Sequence, residues 1–589
     1  MSTFWRLLGF LRPYRAAVVW SFVLAGGAMV ATIVIPLLVG EAVNSIQGHH
    51  RQALVIGAII IIAAGLARLV LSAARRLVAG RVSLGVEVDL RNRLYGQLQR
   101  LELAFFDRQQ TGQLMSRATV DLQSVRFFLG YGLIFIAQSL LTIMLAAVAM
   151  FVLQPELAAL SLAPVPFVVL IAWRYGKHSR PAIQEAQQRI AELTADAEEN
   201  ISGVRVVKAF AQEERQLGRF RHSVERVFDQ QLYATVIQAR YTPMIGFLPN
   251  LGLAVILLVG GHEVIDGTLT LGAFTAFYAY LLLLISPMRT LGYMLSAAQR
   301  AAASGARIFQ VLDREPEMTT PQDAPPLPAG NGRVSLTGVG LTFGSSPRPA
   351  LHDVDLEIEG GETVALVGPM GSGKTALVSL LPRLYDVTEG IVRIDGADVR
   401  EVDLASLRQQ IAVVTDDPFL FSATVHDNIA YGRPEASRDE VEAAARAAQA
   451  DSFIRALPHG YDTLIGERGL TLSGGQRQRI AIARAIAADP RILILDDATS
   501  SVDASTEQEI KLALRAVMAG RTTFIVAHRL STIALADEIV VLEDGTVGAR
   551  GTHEQLLEES ELYREIVEKG MPDQVFLTRK PLEAEVAGL

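Results

Sequence analysis

Long apolar runs almost free of charge alternate with charged, helix-favouring stretches through the first half of this 589-residue chain, whereas the second half carries short apolar runs separated by glycine-rich and polar turns. The long runs are Ala16–Val39, Leu54–Ala74, Leu129–Leu153, Leu157–Trp173, Ile245–Gly261 and Leu271–Pro287. Each is about the length needed to cross ~30 Å of hydrocarbon as a helix, the fourth and fifth being short. They predict six membrane spans, because six such runs do not assemble into a soluble core. The stretches Arg75–Phe128 and Arg174–Tyr241, rich in Ala, Gln, Glu and Arg and largely free of Pro, predict long helices beyond the bilayer. Folded as a hairpin, the second would reach roughly 45 to 50 Å from the membrane. The amphipathic start Phe4-Trp5-Arg6-Leu7-Leu8 predicts an interfacial helix. Arginines interrupt this start and the first apolar run is long enough to span, so no cleavable signal peptide is expected. Inside the spans, Gln138 and Asn250 either face a cavity or bond to neighbouring helices.

The second half has a different grammar. The apolar run Val364–Val367 predicts a buried strand, the loop Gly368-Pro369-Met370-Gly371-Ser372-Gly373 follows, and a helical pattern runs from Lys374 to Leu384. With Lys374 and Thr375 the loop fits G-x-x-x-x-G-K-[ST]. Such glycines let backbone N–H groups face a polyphosphate, the lysine adds a point charge at the outer phosphates, and the threonine hydroxyl ligates Mg²⁺. Taken without its flanks, the pattern is also that of a glycine-rich turn that binds nothing. A second buried strand, Ile492–Leu495, ends in Asp496-Asp497. Adjacent strand residues point to opposite faces, so the two acids would take different roles, Asp496 holding Mg²⁺ through water and Asp497 facing an attacking water; taken alone, the pair is equally that of a solvated strand end. Pro316, Pro321, Pro325, Pro326 and Pro328 mark a linker. The expected organisation is an all-α, six-helix transmembrane domain over residues 1–315, a linker over 316–331, an α/β P-loop NTPase domain over 332–570 and a tail over 571–589 without clear pattern and partly disordered.

Between the two strands lies Leu472-Ser473-Gly474-Gly475-Gln476, and with it the chain resembles the ATP-binding cassette (ABC) transporters, whose signature is LSGGQ. The resemblance implies that Ser473, Gly474, Gly475 and Gln476 contact the γ-phosphate of ATP bound to a second cassette, two nucleotides being sandwiched in a head-to-tail dimer. It also places Ser500-Ser501-Val502-Asp503 as the D-loop, His528 as the switch histidine and Phe343 where an aromatic ring stacks on adenine. The arrangement of spans is similar to that of exporter-type members, whose coupling helices would fall at Phe106–Gly112 and Val207–Glu213.

Two positions depart from the family pattern. Glutamate usually follows the Mg²⁺ aspartate, and Asp497 stands there instead; the Q-loop glutamine, which touches Mg²⁺, is replaced by Asp416. Losing a methylene withdraws a carboxylate by ~1.5 Å, more than a general base tolerates. An aspartate at 416 still offers oxygen to a hard cation. Both substitutions beside an intact signature resemble the degenerate-site subunit of heterodimeric exporters, so a second half-transporter with a glutamate base is the expected partner. The alternatives are a homodimer in which Asp497 is the active base, an exporter-fold importer of a metal chelate, a soluble ABC ATPase and an ATP-gated channel.

Composition sharpens this picture at three points. Half of the residues are hydrophobic and mean hydropathy is +0.30, high for a soluble protein. Cysteine is absent, which excludes disulfides and thiolate metal sites. The net charge of −8 is modest, and the arginines cluster beside the apolar runs, which argues for anionic headgroups and against nucleic acid. Arg6, Arg12 and Arg15 precede the first span, Arg75, Arg76, Arg81, Arg91 and Arg93 follow the second, and Arg174, Lys177 and Arg180 follow the fourth. The opposite loops are nearly bare, so both termini and the cassette are expected in the cytoplasm of a bacterial inner-membrane protein. The expected substrate is an amphipathic small molecule, lipid or peptide.

Overall fold

The computed structural model describes residues 3–570, apart from 322, 345, 347, 467–468, 470–471 and 498–503. The tail 571–589, expected to be partly disordered, lies outside the described residues. By its internal packing the chain divides into two units, residues 1–99 with 112–314, and residues 100–111 with 315–589.

Among the described residues of the first unit, six helices are long and apolar enough to cross a membrane: Arg12–Gln47, Arg51–Leu98, Thr111–Leu153, Pro155–Ser202, Glu213–Ile265 and Leu271–Leu312. They contain the six apolar runs and continue beyond them, as the charged stretches require. The first and sixth approach closely at Gly40 and Gly272, where a Cβ on Gly272 would lie 2.0 Å from the Gly40 carbonyl oxygen. Asn44 Oδ1 accepts from the Gly272 N–H at 2.7 Å, which caps the crossing with a polar bond. Gln138 donates to the Met29 sulfur at 3.6 Å, a helix-to-helix contact. The fourth and fifth helices run side by side, joined by Ser223 Oγ donating to Asp196 Oδ2 at 2.7 Å. A short helix, Val204–Ala209, turns one into the other. It starts three residues before the expected Val207 because Gly203 ends the preceding helix. The N-terminal helix Thr3–Gly9 is present, its Arg6 bonded to Asp313.

The second unit is built on two sheets. Its strands are β1 (Val334–Leu341), β2 (Leu351–Ile358), β3 (Thr363–Val367), β4 (Glu389–Ile394), β5 (Ala397–Asp398), β6 (Ile411–Val414), β7 (Ile492–Asp496), β8 (Thr522–Val526), β9 (Glu538–Glu543) and β10 (Thr546–Gly551). One sheet runs β2-β1-β4-β5 and the other β10-β9-β3-β8-β7-β6. In the second, β9, β3, β8, β7 and β6 are parallel, and β3 and β8 are buried along their whole length. That is the environment which selects the unbroken apolar runs read from the sequence. The proline-rich stretch is laid along this unit: Leu327 is buried in its core, its N–H donates to Ser406 Oγ at 2.9 Å, and Pro325 accepts from Asp403 N at 2.8 Å. Residues 100–111 contribute the short helix Leu103–Asp107, begun three residues before the expected Phe106 because extended Glu102 sets its N-terminus.

Candidate functional site

Parallel strands deliver their C-terminal ends to one edge of a sheet, and there the loops after neighbouring strands meet. Register fixes which residues share that edge: Leu366 pairs with Val526, Asp496 with Val526 and Val414 with Leu495. The glycine loop after β3, Asp416 after β6, Asp496 and Asp497 at the end of β7 and His528 after β8 therefore come together. A Cβ on Gly368 would lie 2.2 Å from the Leu542 carbonyl oxygen and 2.6 Å from Ser372 Oγ, so only glycine fits there. Gly371 at φ +83° and Gly373 at φ +98° take the left-handed conformation that curls the loop.

Ser372 is 4% exposed, and its Oγ is buried with no hydrogen-bond partner among the described residues. Lys374, also buried, turns its ammonium onto the carbonyls of Gly368 and Pro369 at 2.8 and 2.9 Å. Burial lowers its proton affinity and Asp496 opposes that shift. Thr375 is exposed on the first turn of the helix Lys374–Leu380. These groups fit a polyphosphate with its cation: a glycine cradle, an orphaned hydroxyl and an ammonium held by weak carbonyl partners that a phosphate would displace. Among the described residues no cluster of three or more His, Asp or Glu is arranged to hold a metal by itself. Mg²⁺ is commonly held by one or two carboxylates plus phosphate oxygens, so Thr375, Asp416 and Asp496 would share it with the nucleotide.

The acids at this edge act on one another electrostatically. Burial raises the proton affinity of Asp496; His528 opposes it, and the negative charges of Asp497 and Asp416 add to it. The same causes act on Asp497, where burial leads and Arg529 opposes alongside His528. A divalent cation would reverse the balance by favouring the charged carboxylates. Asp497 adopts φ +50°, and its N–H donates to the Val526 carbonyl at 3.2 Å.

Ser473 caps the helix Gly474–Ala488 in a capping box: its Oγ accepts from Gln476 N at 3.3 Å, and Gln476 Oε1 accepts from Ser473 N at 2.9 Å. The S-G-G-Q sequence thus has a local reason, since Ser followed three residues later by Gln is a helix start. A hydroxyl that accepts one bond still has its own proton to donate, so the cap leaves Ser473 free to face a phosphate. Gln478 Nε2 bonds the Thr415 carbonyl at 3.3 Å, tying this helix to the segment that carries Asp416. Among the described residues no hydrogen bond links Leu472–Gln476 to Gly368–Thr375. Asp503 and the rest of Ser500–Asp503 lie outside the described residues.

Phe343 is half-exposed, with Tyr385 packed edge-on against it at 4.9 Å and 85°. The Tyr385 hydroxyl donates to Asp107 Oδ2 at 2.6 Å, and Arg108 lies against Gly344. Sequence reasoning does not single out Tyr385, which belongs to no motif and stands 278 residues from its partner.

A nucleotide-type cradle at the C-terminal edge of a parallel sheet, fused to a six-helix apolar unit, defines a membrane-embedded P-loop ATPase. Comparison with known proteins makes the class specific. Residues 18–288 match the family described as "ABC transporter transmembrane region", and residues 351–500 the family described as "ABC transporter". The chain is similar to an "ATP-dependent lipid A-core flippase" of Syntrophus aciditrophicus, 38% identical over 95% of this chain and 92% of that relative. It is also similar to a "Multidrug efflux ATP-binding/permease protein" of Mycobacterium bovis, 38% identical over the whole chain and 49% of the relative, so that it spans about half of that protein's length. Among solved structures, a bacterial Atm1-family ABC exporter with ATP bound superposes with a TM-score of 0.78 at 30% identity, covering 97% of this chain and 99% of the other. The chain belongs to the ABC transporter family: a multi-pass membrane protein of exporter fold whose cassette couples ATP hydrolysis to transport. Bound ATP with Mg²⁺ supplies the phosphoanhydride that such a cassette cleaves.

Proposed function

We propose that this chain is one half of an exporter that moves an amphipathic small molecule, lipid or peptide out of the cytoplasm, and that it pairs with a second, non-identical half. Lys374 neutralises the outer phosphates, Thr375 and Asp496 hold Mg²⁺ with Asp416 beside them, Phe343 stacks on adenine, and His528 senses the γ-phosphate. Asp497 is left as a short base, which makes hydrolysis at this chain's own site slow. Ser473 to Gln476 and Asp503 complete the partner's competent site instead. The observation that carries this reading is the gathering of Asp416 and Asp497 at one sheet edge, while the capping box at Ser473 is intact. Relatives named for multidrug efflux and lipid A-core flipping support an amphipathic substrate. The double-length mycobacterial relative supports a need for two such halves. The basic residues flanking the spans support a cytoplasmic cassette and termini in a bacterial inner membrane.

A second reading keeps the fold but makes a homodimer in which Asp497 is the active base; the proximity of His528 to Asp497 favours it. Steady-state ATP hydrolysis by the reconstituted pair and by the chain purified alone separates the two. Under the pairing reading Ser473→Arg abolishes most activity of the pair and Asp497→Asn removes little. Brisk hydrolysis by the lone chain that disappears with Asp497→Asn would establish the homodimer and overturn the proposal.

A further inference from the structure

The second spanning helix, Arg51–Leu98, buries one stripe of side chains, in which Arg75, Ala79, Val82, Val86, Leu90 and Leu94 recur at steps of three and four. The same helix also buries Ser83 and Glu87; Ser83 donates to the Arg126 carbonyl and Glu87 is paired with Arg91 and Arg126, whereas Arg75 has no ion pair among the described residues. Arg75 is 3% exposed, and its Nε and Nη1 have no hydrogen-bond partner among the described residues. Its guanidinium stands 5.6 Å from the centroid of the Phe135 ring, and that ring stacks on Tyr131 at 6.4 Å. One turn along, Ala79 clusters with Ala25, Ile134 and Tyr131. Aromatic faces and methyl groups thus surround the position. Burying a guanidinium without a counter-charge destabilises the fold that holds it, and a cation–π contact offsets only part of that cost.

Such a group is retained where a ligand satisfies it. Arg75 immediately follows the apolar run that ends at Ala74, at the end of the span where Arg76 and Arg81 also lie. By the length of that run and its flanking arginines, Arg75 would fall near the depth of lipid headgroups. We propose that Arg75 binds the oxyanion of an amphiphile, its planar fork taking two oxygens while Phe135 and Tyr131 cover the adjoining apolar part. The site deepens the export reading and rests on it, since it names the portion of an amphipathic substrate that the membrane domain would grip.

The test uses the full chain with its partner, delipidated in neutral detergent, and three probes: phosphatidic acid, diacylglycerol with the same acyl chains, and inorganic phosphate. Binding is read as retention in native mass spectrometry and as a shift in melting temperature. Phosphatidic acid is expected to be retained and to stabilise, with the other two inert. Arg75→Leu should raise the melting temperature of the unliganded protein, because a lone buried charge is gone, and should abolish the shift. Arg75→Lys should weaken retention roughly tenfold to a hundredfold. If Arg75→Leu lowers the melting temperature and retention is unchanged, the arginine is structural and the proposal fails. Equal responses of the unsubstituted protein to phosphatidic acid and diacylglycerol overturn it whether or not any variant folds, and equal stabilisation by inorganic phosphate overturns the amphiphile. Both readouts measure binding rather than turnover. A transporter that binds phosphatidic acid but exports nothing would refute the export reading alone, and one that pumps without discriminating the probes would refute only this site.

Discussion

The tie between Tyr385 and Asp107 makes a prediction that geometry alone can size. Tyr385→Phe deletes a 2.6 Å hydrogen bond to a carboxylate and keeps the ring that meets Phe343 edge-on. A buried bond to a charged acceptor contributes about 1.5 to 3 kcal/mol, but this one is partly solvated, so about 1 kcal/mol is the fitting figure. For a domain the size of the cassette, that corresponds to a fall of about 2 to 4 °C in melting temperature. Asp107→Ala should cost the same, and the double substitution no more than the larger single one, because both remove one interaction. Burial foremost, and Asp107 next, hold the Tyr385 hydroxyl protonated well above the usual tyrosine range. Since the folded-state value is the raised one, this contribution is fully present below about pH 10, the ordinary tyrosine value, and is lost only as pH rises further. Differential scanning fluorimetry of the four proteins closes the cycle, and nucleotide titration of the same samples should show ATP affinity unchanged in Tyr385→Phe. Additive losses in the double variant, with no coupling, would refute the account of residues 100–111 as held to the cassette by this bond.

Three substitutions probe the nucleotide cradle itself. Lys374→Ala should cut labelling of this chain by a photoreactive ATP analogue, because it removes the cation nearest the outer phosphates; undiminished labelling would displace the site. Gly368→Ala should abolish nucleotide binding, since its Cβ would meet the Leu542 carbonyl at 2.2 Å, and wild-type affinity in a titration would contradict the loop geometry. Phe343→Ala should weaken ATP binding by about 1 to 3 kcal/mol through lost stacking, while a base-free triphosphate binds equally well before and after; unchanged ATP affinity would remove Phe343 from the site.

Sequence carried the elements whose determinants are contiguous. The glycine loop, the strand ending in Asp496 and the Ser473 helix start each lie within a few residues, so pattern and chemistry coincide there. The spans were equally legible because bilayer thickness sets a length that composition must fill. What was not legible depends on distant pairing. Leu327 reads as part of a proline-rich tether, yet its side chain completes a core formed by strands that follow it. Arg75 reads as one of several boundary arginines, although it is in phase with Ala79, Val82 and Val86, and that phase is the one signal that marks it as buried. The Phe343–Tyr385–Asp107 contact had no signal, since tertiary packing alone brings residue 107 to residue 385.

Asp497 offers the most direct test of why this site would be slow. Its φ of +50° is a left-handed conformation, which aspartate adopts more readily than most residues with a Cβ. Asp497→Glu would therefore keep a backbone strain of about 1 kcal/mol while extending the carboxylate by ~1.5 Å. If reach limits hydrolysis, the gain outweighs the strain, because a well-placed base contributes roughly 10² to 10⁴ in rate. In a pair whose partner carries glutamine in place of its catalytic glutamate, Asp497→Glu should raise steady-state ATP hydrolysis by roughly tenfold or more, the full factor being withheld by Asp416. Combining it with Asp416→Gln should raise the rate again, since that removes a negative charge that lies close enough to push Asp497 toward its protonated form. A flat response to both changes, with nucleotide still bound, would show that carboxylate geometry is not what slows this site.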